Sequence, residues 1–126
     1  MSRNARRDAE RELGDDLARD GKAVIVATTG RTSGRPARAA VGFVEHEDGS
    51  IVVAAGDPSA DWALNLFADP RCTVTLRDRT WPATADVLEG SERNRAIADL
   101  ILRFGTPAER LGSGPAFRLV PDERPA

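Results

Sequence analysis

Arg31, Thr32, Ser33, Gly34 and Arg35 follow one another in the chain, and Arg38 lies three positions further on. Guanidinium groups pair with phosphate and carboxylate through forked hydrogen bonds. Hydroxyls and successive backbone N–H groups in a turn add donors to an anion-binding concavity. Gly30 and Gly34 allow the backbone to turn and a ligand to approach closely. The net charge of the chain is −2, so general attraction does not recruit an anion and local positive charge must do so. The same composition also suits a plain polar hairpin loop.

Groups that could carry a reaction by themselves are scarce. The single histidine, His46, precedes an acidic turn with no partner implied. The single cysteine, Cys72, follows Pro70-Arg71 and reads as an inert, partly buried thiol, because no histidine can be assigned to it. Ser33 and Ser59 lack a base. No His/Cys/Asp spacing fits zinc, and there is no tyrosine. If the chain is an enzyme, a cofactor carries the reaction and the protein supplies binding and orientation.

The cationic run sits between two apolar stretches, so it reads as a loop joining two strands, 22–29 and 37–46. Asp48-Gly49 signals a turn into a third strand, 51–56. Asp57 as N-cap and Pro58 at the first helical position predict a helix that Asp69-Pro70 ends. Strands are expected over 72–77 and 80–89, with Pro82 suggesting an edge or strand end. Ser91 should cap a second internal helix, whose Ile97, Leu100, Ile101 and Phe104 form a core-facing stripe and which Gly105 ends. A Gly/Pro-rich loop over 106–115 leads to a short strand, 116–120. Residues 4–19 read as a charged helix with a narrow stripe of Ala5, Ala9, Leu13 and Leu17, interrupted by Gly14 and so packing weakly.

This pattern predicts a mainly β (α+β) chain of six antiparallel strands, an N-terminal helix and two internal helices. It is either a barrel or an open α+β sandwich. At 126 residues one domain is expected, as a charged arm (1–21), a β domain (22–121) and a tail (122–126). The absence of a basic excess argues against nucleic-acid binding. One cysteine, no apolar run of spanning length and no signal-like segment suit a cytoplasmic setting without an integral membrane segment.

The run Thr28-Thr29-Gly30-Arg31-Thr32-Ser33-Gly34-Arg35-Pro36 resembles the signature loop of the deazaflavin-dependent nitroreductase family. The following order is similar too: Ile51-Val52-Val53-Ala54-Ala55-Gly56, then Asp61-Trp62-Ala63-Leu64-Asn65-Leu66, then Ala68-Asp69-Pro70, then the strand from Thr73 to Leu76. The resemblance spans roughly 24–120. It implies a split β-barrel like that of FMN-binding proteins. It also implies coenzyme F420, a deazaflavin with a phosphodiester and an oligoglutamate tail, and hydride transfer to a small electron acceptor such as a quinone or nitro compound. Under it, Arg31, Thr32, Ser33 and Gly34 hold the phosphate end, with Arg38 assisting. Ala54, Ala55 and Gly56 let the ring approach backbone, and Trp62 and Asn65 close the site. Split barrels often pair, so a homodimer is one assembly that the resemblance allows, and the sequence leaves the oligomeric state open. The family often carries Lys or Arg where Thr32 and Ala37 stand, and tyrosines over the substrate that this chain lacks. A non-catalytic binder of a flavin, deazaflavin or small hydrophobic ligand, and an FMN-binding reductase, are the alternatives.

Overall fold

The computed structural model describes residues 3–105 and 114–123. The expected loop over 106–115 and the end of the tail therefore fall largely outside the described residues. The elements in chain order are α1 (Arg3–Arg19), β1 (Val24–Thr29), β2 (Pro36–Val41), β3 (Val44–Glu45), β4 (Ile51–Ala54), α2 (Asp61–Ala68), β5 (Arg71–Leu76), β6 (Arg79–Leu88), α3 (Gly90–Phe104) and β7 (Ala116–Pro121).

Among the described residues, seven strands join one antiparallel sheet in the order β2-β1-β5-β6-β7-β4-β3. The two edge strands, β2 and β3, are consecutive in sequence, so the sheet curls until its ends meet at a corner of chain, with no ladder closing them. The result is an open half-barrel of seven strands, where the sequence suggests six, in a barrel or an open sandwich. The difference arises at Gly42-Phe43. Residues 37–46 read as one strand, but a Cβ on Gly42 would lie 2.8 Å from the Phe104 ring, and Phe43 turns inward to 1% exposure. Nothing local marks this corner; a contact with the end of α3, over sixty residues later, does.

The sheet buries both faces. Val24, Val26, Val74, Phe117 and Leu119 fill the concave side, with Ala63 and Leu66 of α2 packed onto them. On the convex side Val52, Ala54, Leu88 and Ala116 lie under Ala96, Ile97 and Leu100 of α3. The stripe expected on α3 is thus buried at Ile97 and Leu100. Ile101 is only half-buried, and Phe104 turns to the Gly42 corner.

α1 lies against β1 and β2 through Gly14 and Ala18, which are buried; of the leucines in the expected stripe, Leu17 is half-buried and Leu13 is 60% exposed. Gly14 faces Ala40, whose Cβ would be 3.1 Å from an added Cβ. The residue that weakens the isolated helix is the one that lets it approach the sheet.

Pro82 lies in β6, a central strand, rather than at an edge or strand end. Its carbonyl accepts from the Asp122 N–H, just beyond the last β6–β7 pair, Ala83↔Pro121. Its missing N–H faces the side where the ladder has already ended. Asp57 does not cap α2. Its Oδ1 accepts from the Ser59 N–H (2.8 Å) and hydroxyl (2.7 Å), which holds its carboxyl below the usual range and closes a separate turn before the helix begins at Asp61. α3 starts at Gly90, with Glu89 rather than Ser91 at its N-cap.

Candidate functional site: the loop between the first two strands

Residues 30–35 form a closed turn. The Gly30 N–H donates to the Arg35 carbonyl (2.8 Å), and the Gly34 N–H donates to the Gly30 carbonyl (2.8 Å). A Cβ at position 30 would lie 2.7 Å from Ser33 Oγ and 3.0 Å from the Arg35 carbonyl oxygen, and Gly34 has a φ of 73°. Only glycine fits this turn without displacement. Ser33 Oγ also accepts from the Arg35 N–H (3.1 Å).

α2 fixes the loop from the concave side. Asn65 Oδ1 accepts from the Arg31 N–H (3.1 Å) and from Arg31 Nη1 (2.8 Å). Arg31 Nη2 pairs with Asp61 Oδ1 at 3.0 Å. Asn65 Nδ2 donates to Thr28 Oγ1 (3.1 Å), on the last turn of strand before the loop. With these bonds made, a set of donors is left without a partner. The Thr32 and Ser33 N–H groups, the Thr32 hydroxyl and the Arg35 guanidinium have no partner among the described residues and are exposed. Such a cluster can take a phosphate or carboxylate.

Arg38 is not brought to this side. Strand alternation puts it opposite Ala27 on the convex face, where its Nη2 pairs with Asp15 of α1 at 2.6 Å. It lines a groove of about 540 Å³ between α1 and β2 with Arg11, Asp15, Ile25, Pro36 and Ala40. Ala54 and Ala55 are buried, the Ala55 N–H donating to the Pro115 carbonyl, while Gly56 is exposed. Trp62 is half-buried, its ring 5.8 Å from that of Phe117. Asp61 and Thr28, which complete the Arg31–Asn65 network, stand in the motifs quoted from the sequence but not among its expected site residues. The signal for them was Asn65 itself, an amide inside the apolar run Trp62–Phe67, because a buried amide requires partners.

Cys72 is buried, and burial, with Asp122 nearby, pushes its thiol up to about 11. This is the inert thiol expected. Among the described residues no three His, Cys, Asp or Glu side chains gather to hold a metal, and no helix is long and apolar enough to cross a membrane.

Residues 2–105 match the F420H(2)-dependent quinone reductase family. The chain belongs to that family. Among solved structures, an F420-H2 dependent reductase, FDR-A, is 29% identical with a TM-score of 0.68, over 78% of this chain and 93% of that one. A domain-swapped dimer is 26% identical with a TM-score of 0.67, over 90% of this chain and 98% of that one. The heme storage protein HutZ from Vibrio cholerae, 23% identical with a TM-score of 0.65 over 90% of each chain, shares the fold. No curated protein sequence matches the chain. Family membership agrees with the deazaflavin-type reductase and the split-barrel fold that the loop and its ordered neighbours imply.

Proposed function

We propose that this F420H(2)-dependent quinone reductase family member binds reduced coenzyme F420 and directs its hydride to a quinone or a similar small electrophile. The observation that carries this reading is the loop: a rigid turn, anchored on one side, with unpaired N–H, hydroxyl and guanidinium donors on the other. Such donors fit the phosphodiester and carboxylates of the F420 tail.

In this reading the donors of Thr32, Ser33 and Arg35 hold the tail, Gly34 shapes the turn that presents them, and Arg31, held by Asn65 and Asp61, adds its charge beside them. The ring lies against the backbone of residues 54–56, and Trp62 borders it from α2. Arg38, facing α1, contributes to the convex groove instead. Bound there, the reduced deazaflavin supplies the hydride. The protein holds donor and acceptor in contact and keeps water out. One phosphate would satisfy the same loop, so FMN is the competing cofactor. The lack of tyrosine favours a second reading, a binder without turnover. Two copies pair in this proposal, as in the 26%-identical domain-swapped dimer.

The test is to titrate the protein with F420 and with FMN by absorbance. Oxidation of F420H2 is then followed with a panel of quinones and nitro compounds against a protein-free control. Faster oxidation with a quinone is the expected result. Tight F420 binding with no turnover across the panel would favour the binder, and preferential FMN binding would replace the cofactor. Sedimentation of the same sample reports the pairing.

A further inference from the structure

Of the three buried residues of α2, Ala63, Asn65 and Leu66, only Asn65 is polar, and it is 2% exposed. An amide at such a site is costly unless it is hydrogen-bonded. Its bonds all run to one place. Oδ1 takes two donors from Arg31, the backbone N–H and Nη1, and Nδ2 reaches Thr28 Oγ1. Thr28 Oγ1 in turn donates to the Ala37 carbonyl at 3.4 Å, a long bond. One side chain therefore touches the strand before the loop and the first arginine of the loop, and through Thr28 it reaches the strand after it.

We infer that Asn65 is a positioning residue that presets the anion-binding loop from behind, acting on the cofactor tail only through Arg31 and the Thr32–Ser33 backbone. The inference rests on the reading that this loop receives the tail. The unpaired N–H groups of Thr32 and Ser33 follow Arg31 directly, so fixing the Arg31 N–H fixes where they point. A loop already held in its binding geometry does not have to be ordered when the ligand arrives. The chemistry suits an amide. Aspartate would accept from Arg31 but could not donate to Thr28, and it would add a negative charge behind an anion site. Leucine would offer neither bond.

The experiment compares two probes: F420 itself, and 8-hydroxy-5-deazariboflavin, which carries the ring without the phosphodiester tail. Dissociation constants are measured for the wild type, Asn65→Ala, Asn65→Asp and Thr28→Val, with circular dichroism of each variant. The wild type should prefer the tailed probe. Asn65→Ala should weaken F420 binding roughly tenfold or more, the scale of one lost hydrogen bond to a charged group, and leave the tail-less probe unchanged. Asn65→Asp should weaken F420 at least as much. Thr28→Val, which keeps the side-chain shape, should shift the ratio in the same direction by less, and it carries the test if the Asn65 variants do not fold. In turnover the loss should fall on the KM for F420 rather than on kcat. Variants that keep the wild-type ratio, or lose both probes equally, overturn the positioning role while leaving the loop as the tail site. A wild type with no preference for the tailed probe overturns the loop reading, and the positioning role with it.

Discussion

Arg31 and Arg38, seven positions apart, lie on opposite faces of the same hairpin: Arg31 is bound by Asn65 and Asp61 on the concave side, and Arg38 by Asp15 of α1 on the convex side. In sequence they form one cationic cluster. In the fold they are separate charges, each with its own acidic partner, and Arg35 between them has a side chain with no partner among the described residues.

This separation predicts different effects of removing each charge. Arg31→Ala should weaken F420 binding by about 1.5–3 kcal/mol, the range for a hydrogen bond to a charged group. Arg38→Ala should change it little. Titration of both variants at two salt concentrations checks this, with only partial screening expected at Arg31, whose side chain is 35% exposed. Equal losses would mean that both arginines reach the same ligand.

The convex core should depend on Leu100, which is fully buried among Val52, Leu88, Ile97 and Ala116. Leu100→Ala should lower unfolding stability by roughly 2–5 kcal/mol, as other buried leucine truncations do. Chemical denaturation measures it. Leu102→Ala, on the 85% exposed side of the same helix, serves as the control and should stay near wild type.

At the corner between β2 and β3, an added methyl at Gly42 meets the Phe104 ring. Gly42→Ala should destabilise by about 1 kcal/mol, the low end of overpacking costs, because Phe104 sits at a helix end and can shift. In a Phe104→Ala background the same substitution should cost less. A double-mutant cycle reads the coupling, and simple additivity would place the strain elsewhere.

Cys72 should be silent towards thiol reagents in the folded protein and reactive once unfolded. Its folded pKa, about 11, lies above its ordinary value near 9. Between those values the folded state keeps a proton that the unfolded state has released. Its contribution to stability is therefore complete below pH 9 and is lost as the pH rises from about 9 to about 11. Replacing Cys72 with Ala should remove this alkaline component from the pH dependence of stability, and thiol labelling at pH 8 should follow the fraction unfolded.

The sequence by itself determined the local features. β-branched runs set β1, β4 and β5, Asp48-Gly49 set a turn, Gly105 ended α3, and the glycine-flanked cationic run between two strands marked the loop. Each follows from backbone preferences or spacing within a few residues. The ordered motifs also carried the family, because they reflect types and sequence alone. The tertiary structure decided what depends on residues distant in the chain. Whether 37–46 is one strand or two was settled by Phe104 against Gly42. The face of α1 that packs was settled by Ala40 against Gly14, and a helix propensity scale counts that glycine only as a cost. The side on which Arg38 lies was settled by strand alternation, and its partner and that of Arg31 by the acidic side chains that α1 and α2 bring to either face, because a pleated strand sends neighbours in opposite directions and only the packed helices determine which charge finds a partner.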